Sequence, residues 1–168
     1  MKGFVAALRG GDRRSIGRSD AAVAAVRRAP RRFVELWRCL SHADPLVRMR
    51  AADALEKLTR SDVAPLAPFK DALLSRAHDD GTAEVRWHLV AMSSRLPLDS
   101  GEASRLMAWL DRSLRDDPSR IVKVMALQAA AEVRSRHPAT AAVFRRMLDA
   151  ARASLWPSVR ARARRLGN

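Results

Sequence analysis

The chain has 168 residues, of which 48% are hydrophobic and 5% aromatic, and its formal net charge is +14. This length predicts one domain with a substantial core, and a composition rich in Ala, Leu, Arg and Val without Tyr favours helices over a β-sandwich. The lone cysteine, Cys39, excludes an intramolecular disulfide framework and favours a cytoplasmic protein, and no apolar run is long enough to span a membrane.

Residues 1–30 predict an irregular N-terminal cap. We expect a short helix from Gly3 to Arg9 and a second from Asp20 to Ala29, with Ser19 as the N-cap of the second. The loop between them contains three arginines, Arg13, Arg14 and Arg18. Because arginines beside a helix N-terminus attract anions, this loop is a candidate site for a phosphate or a carboxylate. The alternative is a solvated basic loop that only caps the fold.

From residue 31 to the end, helical spacing of apolar residues alternates with turn signals, which predicts four helical hairpins and no strand. The first helices of the hairpins would bury Phe33, Leu36, Trp37, Leu40, then Leu66, Phe69, Leu73, Leu74, then Leu106, Trp109, Leu110, Leu114, then Val143, Phe144, Met147 and Leu148. The second helices would bury Val47, Ala51, Ala54, Leu55, Leu58, then Val85, Leu89, Met92, then Val122, Ala126, Ala129, Ala130, Val133, then Val159, Ala163 and Leu166.

The second helices share a motif that recurs along the chain. Its fullest copy reads Asp44-Pro45-x-Val47-Arg48-x-x-Ala51-Ala52-x-Ala54-Leu55, and its echoes are Val85-Arg86, Val122-Lys123 and Val159-Arg160. The steps between the four valines are 38, 37 and 37 residues, a period typical of stacked helical hairpins.

This motif resembles the second-helix signature of HEAT repeats, over residues 31–168. The resemblance implies an all-α fold, an α-solenoid of about four HEAT-like hairpins with an irregular N-terminal cap, in one domain over residues 1–168. It implies little about activity, because the family comprises scaffolds, adaptors and a few DNA-repair enzymes.

The residues that follow the four valines form a column of cations. They are Arg48, Arg86, Lys123 and Arg160. One interpretation is a basic ladder for a polyanion; the favoured one is that these cations pair with acidic residues in the turns. The turn before Arg160 contains no acid, so Arg160 is expected to lack such a partner and to be available to a ligand.

A second set of candidates follows from the resemblance, because second helices line the concave face of a HEAT stack. The candidate anion-binding residues there are Arg50, Trp87, His88, Arg95, Arg162 and Arg165. Arginines would contact phosphates while one tryptophan supplies a stacking surface. The alternative for Trp87 is packing between neighbouring repeats.

Signals for an enzyme are weak. The four histidines show no metal-ligand spacing, no nucleophile motif is found, and we expect no cofactor and no catalytic residue. The enzymatic precedent among HEAT-like proteins, the DNA alkylpurine glycosylases, uses aromatic residues with an aspartate in the groove. Here the residue one turn after Trp87 is Ala91, which argues against that activity.

The sequence therefore predicts a basic, non-catalytic binding module. An excess of positive charge favours a polyanionic partner, with nucleic acid first, either DNA or RNA. The alternative is a scaffold that docks an acidic or helical protein partner in its groove.

Overall fold

The computed structural model describes residues 3–10, 18–79 and 82–167, and within these ranges all regular structure is helical. The α-helices there are α1 (Phe4–Leu8), α2 (Ser19–Arg28), α3 (Phe33–Arg38), α4 (Pro45–Thr59), α5 (Lys70–Asp79), α6 (Ala83–Ser93), α7 (Ser100–Asp116), α8 (Arg120–Arg136), α9 (Ala141–Arg152) and α10 (Pro157–Leu166). Short 3₁₀ segments cover Pro30–Arg32, Cys39–Ser41, Ala64–Phe69 and Pro138–Thr140. The all-α prediction is confirmed for the described part of the chain.

The chain divides into two compact units, Met1–Pro68 and Phe69–Asn168. The prediction of a single domain stays a prediction. In the first unit, α4 contacts α1, α2 and α3 and supplies the centre of the core. The fully buried leucines of this unit are Leu8, Leu36, Leu40, Leu55 and Leu66.

Prolines explain where the hairpins depart from continuous α-helix. Pro65 and Pro68 both lie in the 3₁₀ segment Ala64–Phe69, because a proline lacks the N–H that an α-helical turn needs. Leu66 and Leu73 are buried as expected, while Phe69 and Leu74 are only partly so. The second hairpin therefore begins with a tight 3₁₀ turn and becomes α-helical at Lys70.

One predicted cap is wrong. Ser19 is the first residue of α2, and Arg18 takes the N-cap position without a side-chain hydrogen bond. The Ser19 hydroxyl is buried and donates to Asp53 Oδ2 at 2.6 Å, so it links α2 to α4. A tertiary partner thus replaces the local backbone N–H that a capping serine would bind.

In the second unit, each second helix packs against its own first helix and against the next second helix. Thus α8 contacts α6, α7 and α10, α9 contacts α7 and α10, and α5 contacts α6. The helices α6 and α8 run parallel. At their N-terminal ends Arg86 Nε donates to Asp117 Oδ2 at 3.0 Å, and at their C-terminal ends Ser94 Oγ donates to Glu132 Oε2 at 2.6 Å.

The four second helices begin in one register. The helices α4, α6, α8 and α10 each start two residues before the recurring valine, after a residue in extended conformation. The valines Val47, Val85, Val122 and Val159 are at most 1% exposed. The residues four positions later, Ala51, Leu89, Ala126 and Ala163, are fully buried. The recurring sequence motif therefore corresponds to a recurring local structure.

Candidate functional site

The cations that follow the recurring valines donate hydrogen bonds to the turn that precedes each second helix, or to the end of the helix before that turn. Arg48 donates to the carbonyls of His42 and Ala43 at 2.9 and 3.0 Å. Lys123 Nζ donates to the Leu114 and Arg115 carbonyls at 2.7 and 2.6 Å. These contacts satisfy carbonyl groups at the end of each hairpin's first helix and in its turn.

Arg160 repeats this arrangement in the last hairpin. Its Nη1 donates to the Ser154 carbonyl at 2.7 Å and to the Leu155 carbonyl at 3.1 Å. The expectation that Arg160 lacks a partner is therefore wrong, because backbone carbonyls accept hydrogen bonds from a guanidinium as carboxylates do. Its role in binding an anion stays a prediction, since the side chain is partly exposed.

Arg86 pairs with a turn acid, as the favoured interpretation of the column requires. Its Nε and Nη2 donate to the two carboxylate oxygens of Asp117 at 3.0 and 3.1 Å. The Asp117 carboxylate also accepts from the backbone N–H of Ser119 at 2.8 Å, just before α8. One carboxylate therefore ties α6 to the turn that starts α8.

Arg50 lies in the first unit and is almost fully buried, at 2% exposure. Its Nη1 donates to the Leu8 carbonyl at 2.7 Å and also to the carbonyl of Gly10. Gly10 has a φ of +76°, the left-handed conformation that glycine adopts after a helix. The guanidinium thus binds the C-terminal end of α1. Its burial was not foreseen, because nothing in the α4 motif shows that α1 returns to this position.

The candidates Trp87 and His88 on α6, and Arg95 just after it, differ in how much of each residue is exposed. His88 is buried, at 3% exposure, whereas Trp87 and Arg95 are partly exposed. The indole of Trp87 lies against the imidazole of His88, with ring centroids 3.4 Å apart. Trp87 and Arg95 therefore retain some accessible surface, and His88 belongs to the packed interior of its unit.

Arg162 takes part in a polar chain across three second helices of the second unit. Its Nη1 donates to Gln128 Oε1 at 2.8 Å, and Gln128 Nε2 donates to Glu132 Oε1 at 3.1 Å. Glu132 in turn accepts from Ser94, so α6, α8 and α10 are linked. Arg162 is partly exposed, and its hydrogen bond to Gln128 connects α10 to α8.

Arg165 is exposed on α10, and the structure adds neighbours that the repeat pattern did not single out. Four exposed arginines on α9 and α10, which pack against each other, make up what we call the α9–α10 basic surface: Arg145, Arg146, Arg164 and Arg165. None of their side chains makes a hydrogen bond or an ion pair with another residue that the structure describes. Their guanidinium groups are exposed to solvent.

The distribution of charge along the sequence could have indicated this surface before the structure was known. Residues 120–168 contain eleven basic and two acidic residues, whereas residues 61–119 contain seven basic and ten acidic ones. Residues 1–60 contain fourteen basic and six acidic residues. The excess positive charge is therefore concentrated at the two ends of the sequence, and a comparison by repeat position alone does not register it.

Of the three arginines of the N-terminal loop, only Arg18 lies within the described residues. It is exposed and lines a cleft of the first unit together with Phe4, Arg32 and three alanines of α2. Arg32 lies 4.1 Å from the centroid of the Phe4 ring and donates to Glu35 Oε2 at 2.9 Å. Arg13 and Arg14 lie outside the described residues, so the proposed anion site in this loop stays a prediction.

Cys39 is buried and unsuited to nucleophilic chemistry in the folded protein. The residue is 4% exposed, and burial, with a smaller contribution from the nearby carboxylate of Glu35, raises the pKa of its thiol above the usual range. Among the described residues no group of three or more His, Cys, Asp or Glu side chains could hold a metal ion. No helix in the described ranges combines the length and hydrophobicity needed to cross a lipid bilayer.

Comparisons with known proteins found no similar protein. The chain matches no protein-family model, no curated protein and no solved structure. The resemblance to HEAT repeats therefore depends on the recurring motif in the sequence.

Proposed function

We propose that the chain is a HEAT-like α-solenoid that acts as a non-catalytic binding module for a polyanion, with nucleic acid as the leading ligand. The solenoid part is supported by the shared register of α4, α6, α8 and α10 and by their buried valines. It is also supported by the parallel contact of α6 with α8, because consecutive repeats of a solenoid place equivalent helices side by side.

The α9–α10 basic surface is the main support for a polyanion as the ligand. A cation already bound to a carboxylate gains little from a phosphate, whereas the four arginines of this surface have no partner among the described residues. Residues 138–168 contain seven arginines and a single acid, Asp149, so the local field is strongly positive. Arginine is well suited to phosphate because its planar fork can donate two parallel hydrogen bonds.

Asp149 does not cancel this field. It pairs with Arg152, whose Nη1 lies 3.1 Å from Asp149 Oδ1, and both side chains are more than half exposed. Such a pair neutralises one arginine of α9 and leaves the other exposed cations unaffected. The net charge of this hairpin is therefore available to steer and hold an anionic chain.

The test measures affinity for fluorescently labelled DNA and RNA by anisotropy over a series of salt concentrations. The variant replaces Arg145, Arg164 and Arg165 with Gln. The loss of three phosphate contacts should lower the slope of log Kobs against log[salt] by about 2 in magnitude for a single strand. Melting temperature should change little, because exposed charges contribute little to stability.

A matched control neutralises three exposed arginines of the other unit, Arg27, Arg28 and Arg38, which also have no recorded partner among the described residues. We expect a markedly smaller loss of affinity from this control. Equal losses from the two triples would indicate diffuse attraction and remove the α9–α10 basic surface from the proposal. No salt-dependent binding by the unmodified protein would contradict nucleic acid as the ligand.

A further inference from the structure

A stripe along α10 combines an exposed aromatic ring with cations. Trp156 is the residue before the helix, and Arg160 and Arg164 lie four and eight residues after Trp156. Helical spacing therefore places the three residues near one face of α10, about 6 Å apart along its axis. Trp156 is 43% exposed, the largest exposure among the tryptophans whose side chains the structure describes. The other tryptophans are partly exposed or buried.

The turn that presents Trp156 is held in place by hydrogen bonds. Arg160 Nη1 binds the carbonyls of Ser154 and Leu155, and the backbone N–H of Trp156 donates to Ser154 Oγ at 3.2 Å. The Trp156 carbonyl accepts from the N–H groups of Val159 and Arg160 at 3.1 Å. An ordered turn therefore holds a large apolar ring partly exposed to water, where fuller burial would ordinarily be favourable.

We propose that this stripe is a binding site for single-stranded nucleic acid, in which Trp156 stacks on an unpaired base and Arg160 and Arg164 contact neighbouring phosphates. The inference rests on the proposed function and names its ligand class more narrowly. Aromatic rings and arginines combined on one surface are the features that bind single strands without sequence preference. The exposed guanidinium groups of Arg164 and Arg165 supply the complementary charge.

Single strands fit this stripe better than duplexes. In a duplex each base is stacked between its neighbours, so an indole on the protein surface cannot reach a base face without the cost of opening the helix. A single strand exposes its base faces and bends to follow a line of cations. Duplex binding would use the arginines alone.

The decisive experiment compares Trp156→Ala, Trp156→Phe and the unmodified protein. Affinity is measured for a labelled oligothymidylate and for a duplex of equal length at one salt concentration. Trp156→Ala should weaken single-strand binding about 5- to 150-fold, since stacking on an aromatic side chain is worth roughly 1–3 kcal/mol per base. Its duplex affinity should fall by less than about twofold. Trp156→Phe should recover most of the single-strand affinity.

Tryptophan fluorescence gives a second, independent measurement. Oligothymidylate should quench the emission of the unmodified protein, and Trp156→Phe should abolish that quenching while it keeps most of the affinity. Ile121→Ala is the matched control, because Ile121 is an exposed apolar residue with 44% exposure that the site does not use. Its affinity and quenching should equal those of the unmodified protein.

The outcomes separate this inference from the proposed function. If Trp156→Ala binds single strands normally while the Arg145, Arg164 and Arg165 variant loses binding, the stacking site is wrong and the basic surface stands. If the unmodified protein binds neither single strands nor duplexes, both proposals fail. If it binds vesicles of phosphatidylcholine and phosphatidylserine in a Trp156-dependent way but not oligonucleotides, the exposed turn is a lipid-binding element and the inference is overturned.

Discussion

The guanidinium of Arg86 and the carboxylate of Asp117 form two hydrogen bonds, of 3.0 and 3.1 Å, across 31 residues of sequence. The two side chains are only 14% and 12% exposed, so water screens the pair weakly. Asp117 also accepts from the N–H of Ser119, which gives the carboxylate a role in the turn as well as between helices. This pair is therefore a specific connection between two successive hairpins of the second unit.

Arg86→Ala should lower the free energy of unfolding by about 1–3 kcal/mol, because it leaves a largely buried carboxylate without its charged donor. Urea denaturation measures the change. Arg112→Ala, which alters an exposed arginine on α7, should stay within about 0.5 kcal/mol of the unmodified protein. A double-mutant cycle with Asp117→Ala that gives no coupling energy would show that the pair contributes nothing to stability.

Two leucines offer a matched test of the core. Leu55 is fully buried in α4, whereas Leu155 is 92% exposed in the turn before α10. Leu55→Ala should cost about 2–5 kcal/mol of unfolding free energy through lost burial and a residual cavity. Leu155→Ala should change it by less than roughly 0.5 kcal/mol. Similar losses for the two variants, measured by denaturant melts, would contradict the packing of α4.

Arg50 should contribute to the stability of the fold rather than to ligand binding, because its side chain is buried. Arg50→Ala removes the donor to the Leu8 and Gly10 carbonyls at the end of α1, and should cost at least about 2 kcal/mol. Thermal unfolding and proteolysis near the N-terminus would both report the change. Arg50→Lys should recover part of the stability. A fully stable Arg50→Ala variant with reduced oligonucleotide affinity would instead favour the groove interpretation of this residue.

The helix α7 begins with a capping box that predicts a pH dependence of stability: the Asp99 side chain accepts from the N–H of Glu102 at 2.7 Å, and the Glu102 side chain accepts from the N–H of Asp99 at 2.8 Å. Glu102 accepts from Lys70 and from the N–H of Asp99, and these interactions, the Lys70 hydrogen bond first, hold the pKa of Glu102 below its usual range. The folded state therefore favours the carboxylate more than the unfolded state does. Its contribution to stability is complete above the unfolded pKa of about 4.3 and is lost as pH falls through the lower folded pKa.

Glu102→Gln should accordingly be less stable than the unmodified protein near neutral pH, and the difference should shrink below about pH 4. Melting temperatures over a pH series measure this convergence. Asp116→Asn is the control, because Asp116 is exposed on the same helix and has no recorded ion pair among the described residues. A constant difference between Glu102→Gln and the unmodified protein at every pH would contradict the role of the Glu102 carboxylate.

The amino-acid sequence by itself determined the helices and most of their buried positions, because both depend on the spacing of residues within a single segment. The recurring valines predicted where second helices begin, and the structure starts α4, α6, α8 and α10 in that register. Only tertiary structure decided what the polar residues contact. Ser19 binds Asp53 instead of capping α2, and Arg50 binds the end of α1, because partners distant in sequence meet them in the folded chain. The turn carbonyls that Arg160 contacts carry no sequence signal, since every residue has the same carbonyl group.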